Sequence, residues 1–214
     1  MLLWGYNMNY QVEMEKQLQN LKGTPKLLLH ACCAPCSSYV LSTLTNFFDI
    51  TIYYYNPNIF PKEEFTKRYL ELDKFIKEYP FIHDVSLEEG EYNYDDYKKI
   101  SKGLEEEKEG GKRCYNCYKL RMEKSFIYAK KNGFDYVTTT LSISPYKNVN
   151  WINEIGKELE QKYGIKYLYA DFKKKNGYKK SIEFSKEYNL YRQDYCGCVY
   201  SKRDREKKEV QIES

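Results

Sequence analysis

The sequence predicts an α/β fold, with helices flanking a mostly parallel sheet. Predicted strands and helices alternate along nearly the whole chain, which is the pattern of βαβ units. A length of 214 residues suits one good-sized hydrophobic core. No internal repeat appears in the sequence. We therefore expect a single α/β domain.

The predicted strands are short runs of apolar, β-branched or aromatic residues. The first, KLLLHA, is apolar enough to be buried, and the second, ITIYYY, ends at the turn-forming residues NPN. In chain order, the predicted strands cover residues 26–31, 50–55, 81–85, 134–143 and 165–172.

The predicted helices have recognisable starts and stops. Ser37 or Ser38 suits the N-cap of the helix after the first strand. Acidic residues open the next helix and Pro80 stops it, while Gly133 ends a later one. In chain order, the helices cover residues 9–22, 37–48, 62–79, 114–133, 149–164 and 178–190. We expect little regular structure in the last dozen residues, and only a short helix and a loop in 88–113.

These elements divide the chain into a helical N-terminal extension at 1–25, an α/β domain at 26–201 and a charged tail at 202–214. The formal net charge of +4 is compatible with a nucleic-acid partner without establishing one. No run approaches the roughly 20 apolar residues of a membrane span, and the first residues do not resemble a signal peptide. We expect a cytoplasmic protein, in which cysteines tend to bind metal or carry out redox chemistry.

All seven cysteines fall into three short groups, and this is the strongest functional signal in the sequence. We name them the first cluster (Cys32, Cys33 and Cys36), the second cluster (Cys114 and Cys117) and the third cluster (Cys196 and Cys198). Buried cysteines that act as small hydrophobes would instead be scattered singly. The first cluster follows a predicted strand, and ligands of open α/β sheets bind at the carboxyl ends of strands. We expect the three clusters to converge at that edge of the sheet.

The first two clusters predict a metal site. Cys114 and Cys117 are three positions apart at a helix start, where the helix N-terminus, Lys112 and Arg113 favour thiolates. The two adjacent cysteines of the first cluster could reach different atoms of a multi-atom cluster, but hardly one small ion. Two plus two makes four thiolates, the usual complement of a [4Fe–4S] cluster.

Other interpretations of the cysteines stay open. Structural zinc also accepts four cysteines, although zinc modules usually close short loops and the first two clusters lie far apart in the chain. The third cluster, with Gly197 between its cysteines, suits either two-electron chemistry through a strained disulfide or further metal binding. Cys36 could bind a second metal, or it could lie at the helix N-terminus without a role in the site.

The other motifs in the chain are weaker. The stretch ACCAPCSS occupies a strand-to-helix turn but has no glycine that would let backbone N–H groups cradle a phosphate. His30 and His83 lie in or beside predicted strands, and we expect both to be packing residues.

Five stretches together resemble the cobalamin-independent epoxyqueuosine reductases of the QueH family: LLLHACCAPCSS, YYYNPNIFPKEEFTKR, RCYNCYKLRM, TTTLSISPYKN and YRQDYCGCVYS. The resemblance runs from residue 26 to residue 201 and includes the three clusters in order. It implies a single Rossmann-like domain similar to the adenine-nucleotide hydrolases. The implied activity is the two-electron reduction of epoxyqueuosine to queuosine at the wobble position of tRNA, the final step of queuosine biosynthesis.

The resemblance also implies roles for the cysteines. Cys32, Cys33, Cys114 and Cys117 would ligate a [4Fe–4S] cluster, and Cys196 with Cys198 would form a redox-active disulfide. Cys36 stands where some family members have Asp beside a possible mononuclear iron, which leaves the second metal open. The implied partners are tRNA carrying epoxyqueuosine and an electron donor that the sequence does not identify.

Four further residues flank the implied site. Lys147 and Arg192 are candidates for binding tRNA phosphate, with ordinary solvated charges as the alternative. Tyr195 or Asp194 could supply a proton. The main alternative of a different class is a zinc-stabilised RNA-binding module without redox activity.

Overall fold

The computed structural model describes residues 8–213, and their side chains as far as residue 207. A five-stranded sheet contains β1 Lys26–His30, β2 Asp49–Tyr54, β3 Val85–Glu89, β4 Tyr136–Thr139 and β5 Lys166–Tyr167. The strand order is β3-β2-β1-β4-β5, and every neighbouring pair is parallel. The predicted α/β fold with a parallel sheet is confirmed.

Helices lie on both faces of the sheet. They are α1 Tyr10–Gln19, α2 Ala34–Leu44, α3 Lys62–Glu78, α4 Tyr94–Ser101, α5 Lys112–Asn132, α6 Val149–Tyr163, α7 Gly177–Glu187 and α8 Val199–Glu213. Leu27 and Leu29 of β1 pack with residues of α2 and α3, whereas Leu28 packs with residues of α5 and α6. A strand covered on both faces is apolar at every position, which explains the continuous LLL run.

The strand order creates a crevice beside the first cluster. The chain runs outward from β1 to β3 on one side and then returns to β4 on the other side of β1. In open α/β sheets, such a reversal leaves a crevice at the carboxyl ends of the two central strands. The first cluster directly follows β1, and a 3₁₀ turn, Thr140–Ile143, directly follows β4.

Helix α2 begins earlier than predicted. Cys33 is its N-cap residue, so the predicted capping by Ser37 or Ser38 is wrong. Pro35 lies in the first turn, where its missing N–H costs no helical hydrogen bond. Both serine hydroxyls instead donate to backbone carbonyls within α2, Ser37 to Cys33 at 2.8 Å and Ser38 to Pro35 at 3.2 Å.

Three other predicted elements differ from the structure. The third strand is Val85–Glu89 rather than 81–85, because it is Val85–Glu89 that pairs with β2, while Phe81 packs on the core from outside the sheet. Strand β5 has only two residues. The expectation of little regular structure at the end of the chain is wrong, because α8 extends to Glu213.

Within the part of the chain that the structure describes, no helix has the length and apolar character needed to cross a membrane.

Candidate metal centre

The first cluster forms a compact group of thiols at the carboxyl end of β1. The Sγ atoms of Cys32, Cys33 and Cys36 all lie within 4.8 Å of one another. Those of Cys32 and Cys33 are 3.9 Å apart, close to the ~3.8 Å that separates thiolates around a tetrahedral ion with 2.3 Å bonds. This distance would therefore also suit one shared ion, an arrangement that the sequence argument does not favour. The turn into α2 directs both side chains to the same side.

Hydrogen bonds among the three thiols of the first cluster favour negative charge on Cys32 over the other two. Hydrogen bonds with Cys33 and then Cys36 hold the pKa of Cys32 well below its usual range, despite burial. The hydrogen bond with Cys32 is also the main cause that raises the pKa of Cys33 to about 12. Of the three thiols, Cys32 is therefore the one whose deprotonation its neighbours favour.

The second cluster lies near the start of α5, which begins at Lys112, so Cys114 is in the first turn of the helix and Cys117 is in the second. The backbone N–H of Gly110 donates to the Cys114 Sγ atom at 3.3 Å, and Cys117 is buried among residues that include Tyr97 and Cys198. Burial raises the pKa of Cys114, and it raises the pKa of Cys117 to about 12. The expectation that the helix start favours thiolates here is wrong for the free thiols, because desolvation outweighs the nearby positive charges.

A short chain of hydrogen bonds joins the first cluster to the second. The Asn56 amide donates to the carbonyl of Ala31, next to the first cluster, at 2.8 Å. The Asn56 Oδ1 atom accepts from Nη1 of Arg121 at 3.3 Å. The Nε atom of Arg121 in turn donates to the carbonyl of Cys117 at 3.3 Å. Asn56 and Arg121 are both about 1% exposed or less, so this link is shielded from water.

The third cluster meets the other two from the loop between α7 and α8. Cys198 packs against Cys117, and the carbonyl of Cys196 accepts from Arg68 Nη1 at 3.3 Å. Gly197 has φ +111°, and a Cβ atom on it would lie 2.9 Å from the same Nη1 atom. A glycine is therefore required between the two cysteines. All seven cysteines are free thiols in the structure.

A cavity of about 600 Å³ opens above these thiols. Its lining includes thiols of the first and third clusters, three cationic side chains and several tyrosines: Cys32, Cys36, Cys196, Lys147, Arg192, Arg205, Tyr146, Tyr178 and Tyr195. The volume is in the range of pockets that hold a small molecule. The first and third clusters therefore meet at a cavity large enough for a nucleoside-sized molecule, whereas the second cluster contributes no residue to its lining and is joined to the third through the packing of Cys117 against Cys198.

The family model described as epoxyqueuosine reductase QueH matches residues 27–204. This chain belongs to the epoxyqueuosine reductase QueH family. The matched range starts in β1 and ends in α8, so it contains all three clusters and the cavity residues named above except Arg205.

Individual QueH proteins are similar over most of their length. The chain is 41% identical to epoxyqueuosine reductase QueH of Streptococcus pyogenes serotype M1 over 209 residues, 94% of this chain and 82% of that protein. It is 44% identical to the Staphylococcus epidermidis protein of that name over 181 residues, 83% and 76% of the two chains. The QueH protein of Thermotoga maritima is 36% identical over 189 residues, 87% and 95% of the two chains.

The two histidines differ in their surroundings. His30 is fully buried, with Nδ1 2.8 Å from Thr139 Oγ1 and Nε2 3.2 Å from the carbonyl of Tyr55. It is the packing residue that the sequence predicts. His83 is exposed, so its predicted packing role is wrong. The cause is the shift of β3, which leaves residues 81–84 outside the sheet.

The remaining predicted site residues all line the cavity. Burial alone would lower the pKa of Lys147, but the charges of Cys196 and Cys32 outweigh it and raise that pKa. Arg192 is exposed and lies over the Tyr178 ring at 5.3 Å. Asp194 is exposed and pairs with Arg205 at 2.6 Å, whereas burial raises the pKa of Tyr195.

Sequence reasoning missed two buried arginines that border the thiols. Arg68 is 0% exposed and Arg121 is 1% exposed. Each occupies a position on its helix where the apolar period predicts a core residue, between Phe65 and Leu72 in α3 and next to Met122 in α5. A charged residue on an apolar helix stripe is the signal that could have found them.

Proposed function

We propose that this protein is an epoxyqueuosine reductase that converts epoxyqueuosine to queuosine in tRNA. Membership of the QueH family supports the activity. The single structural observation that carries the proposal is the cavity whose lining includes thiols of both the first and the third cluster, with the second cluster packed behind them. A zinc-stabilised RNA-binding module would need no such accessible thiols.

The proposed reaction has a simple balance. The epoxide oxygen leaves as water, an alkene forms, and two electrons and two protons are consumed. Oxidation of the Cys196 and Cys198 thiols to a disulfide releases two electrons and two protons, so one dithiol balances one substrate. An electron donor, whose identity is open, must then reduce the disulfide before the next turnover.

The position of the third cluster supports this role. Cys196 lines the cavity, where it can meet substrate, and Cys198 is 6% exposed behind it. Gly197 allows the tight turn between them. Tyr195 and Asp194 line the same cavity and are the candidates to hold a proton near the leaving oxygen.

We further propose that Cys32, Cys33, Cys114 and Cys117 ligate a [4Fe–4S] cluster. Four thiol side chains are the donor set that such a cluster requires, and it supplies single electrons when bound. The Nη2 atoms of Arg68 and Arg121 are buried and have no hydrogen-bond partner among the described residues. Their positive charges suit an anionic group beside them. Cys36 would then contribute to a second metal site, for which a mononuclear iron is the candidate.

One observation favours a second arrangement of the metal. The thiols of the first cluster are close enough for a single ion bound by Cys32, Cys33 and Cys36. The two arrangements predict different contents of acid-labile sulfide, which a [4Fe–4S] cluster contains and a single thiolate-bound ion does not.

Arg192 and Lys147 are the proposed contacts for tRNA. Arg192 is exposed at the cavity and suits a phosphate of the anticodon loop. Lys147 interacts electrostatically with thiols of two clusters, so it suits the part of the substrate nearest the reacting atoms.

Incubation with substrate tests the proposal directly. The protein, purified without oxygen, is mixed with tRNA that carries epoxyqueuosine and with dithionite as reductant, and the tRNA nucleosides are then separated and weighed by mass spectrometry. We expect queuosine to replace epoxyqueuosine over several turnovers. A protein that contains its metal but leaves epoxyqueuosine unchanged would contradict the proposal.

The optical spectrum and metal content separate the alternatives. Broad absorption near ~400 nm with iron and sulfide indicates an iron–sulfur centre. A colourless protein that contains zinc and binds tRNA without changing it would support the RNA-binding module instead.

A further inference from the structure

Arg121 is a buried cation whose partners in the protein do not neutralise it. Its guanidinium donates to two neutral oxygens, the Cys117 carbonyl and the Asn56 Oδ1 atom, each at 3.3 Å. Its Nη2 atom is buried and has no hydrogen-bond partner among the residues whose side chains are described. Moving a charge out of water is costly unless an opposite charge compensates it.

Arg68 provides the contrast within the same site. It is also fully buried and also has an unpartnered Nη2 atom. However, its Nε atom lies 2.6 Å from Oε1 of Glu64, which supplies a carboxylate. For Arg121, no such carboxylate pair is found in the part of the chain with described side chains.

The free thiols near Arg121 do not compensate its charge, because burial raises the pKa of Cys117 to about 12; the same thiols bound to a metal as thiolates would compensate it. The Cys117, Cys196 and Cys32 groups, one from each cluster, all act on the guanidinium and raise its pKa against the effect of burial. Through Asn56 and the Cys117 carbonyl, Arg121 is also fixed between the first and second clusters. Its position is therefore set by the elements that hold the thiols.

We infer that Arg121 is the buried counter-charge of the metal centre, a positioning residue that sets how readily the centre accepts an electron. This inference rests on the proposed function, because it assumes that thiolates of the clusters hold a redox-active metal. An added electron makes the centre more negative, so a fixed positive charge beside it stabilises the reduced form. The reduction potential of a metal–sulfur centre responds to local charge and hydrogen bonding in this way.

Three variants of the full-length protein test the inference. Arg121→Gln removes the charge, and Arg121→Lys keeps it on a different side chain. Lys119→Gln is the matched control, because Lys119 is a cation on the same helix that is 44% exposed and pairs with Glu158 instead. Each protein is loaded with iron and sulfide without oxygen, and its reduction potential is measured by spectroelectrochemistry.

We expect the potential of R121Q to shift to more negative values, while R121K and K119Q stay near the wild-type potential. A second readout is the melting temperature of loaded and metal-free protein. The increase in melting temperature on loading should be smaller for R121Q than for wild type or R121K.

Other results would overturn the inference. An R121Q protein with wild-type iron content and wild-type potential would show that Arg121 does not act on the centre. If metal-free R121Q fails to fold while R121K folds, the positive charge at this position is needed for folding rather than for the metal centre. If wild-type protein forms no redox-active centre, the proposed cofactor fails and the inference fails with it. If wild type forms one and the R121Q potential is unchanged, only the inference fails.

Discussion

The first cluster lies where β1 ends and α2 begins, whereas the third cluster lies in a loop between α7 and α8. In the first cluster, three thiols lie within 4.8 Å of one another on a rigid strand-to-helix turn. In the third, a glycine with φ +111° separates one cysteine that lines the cavity from one that packs against Cys117. Close convergence of three thiols suits holding a metal, and a pair of cysteines with one member at the cavity suits a change of oxidation state.

The largest expected effect comes from removing a proposed ligand. Cys117→Ala should abolish assembly of the iron–sulfur centre and, with it, turnover, because a [4Fe–4S] cluster needs its fourth thiolate. Iron, sulfide and the optical spectrum measure this. Cys36→Ala is the matched variant, since it should keep the sulfide content and lose only metal bound at the second site.

The opposite pattern for these two variants would favour the single-ion arrangement. If C117A keeps its metal and C36A loses all of it, the first cluster binds one ion by itself, and the assignment of Cys114 and Cys117 as ligands is wrong.

A smaller effect is expected from the third cluster. Cys196→Ser should keep the optical spectrum of the metal centre but lose sustained turnover, because one thiol cannot form the disulfide that stores two electrons. Nucleoside analysis over time measures this. Unchanged multiple turnover in C196S would show that the third cluster does not store electrons for the reaction. Its cysteines would then be additional metal ligands.

Gly197→Ala tests whether the loop needs its glycine. The positive φ angle and the 2.9 Å approach to Arg68 should together make this variant less stable by about 1–3 kcal/mol. Gly133→Ala is the control, because Gly133 also has a positive φ but a Cβ there meets no atom within 4 Å. Urea unfolding compares the two. Equal losses of stability would show that the contact with Arg68 contributes nothing.

The final effect concerns how stability depends on pH, through the packing behind the first cluster. Burial lowers the pKa of His30 from its ordinary value of about 6.5 to about 3. Between these values the unfolded chain binds a proton that the folded protein does not. The contribution of neutral His30 to the free energy of unfolding is therefore complete above pH 6.5. It is lost as the pH falls, by at most about 1.4 kcal/mol per pH unit.

Urea unfolding of metal-free protein between pH 7 and pH 5 checks this effect. His30→Gln should lack that part of the pH dependence, because glutamine does not titrate. A variant whose stability falls with pH as steeply as that of wild type would contradict the buried, neutral state of His30.

Sequence patterns were sufficient for the sheet and for the grouping of the cysteines. The LLL run of β1 and the alternation of strands with helices are local signals, and the parallel order follows from them. The shifted β3 and the short β5 were not predictable, because Phe81 packs on the core from outside the sheet, and apolar residues such as Leu168 and Phe172 continue into the core past the end of β5.

The chemistry of the site was only partly predictable. Cysteine spacing revealed which thiols matter, but the turn that brings Cys32 and Cys33 to one side depends on backbone angles that spacing does not contain. The pKa values of Cys114 and Cys117 depend on burial by residues distant in sequence, such as Tyr97 and Cys198. The role of Arg121 becomes visible only in the folded protein, where its buried guanidinium donates to the Cys117 carbonyl and to Asn56.

A single-turnover experiment without added reductant tests the account most directly. Fully reduced protein is mixed with tRNA carrying epoxyqueuosine, free thiols are then alkylated, and the peptide containing the third cluster is analysed by mass spectrometry together with the nucleosides. Each queuosine formed should be matched by one protein in which Cys196 and Cys198 have become protected from alkylation as a disulfide. Queuosine that forms while both thiols remain fully open to alkylation would contradict the account.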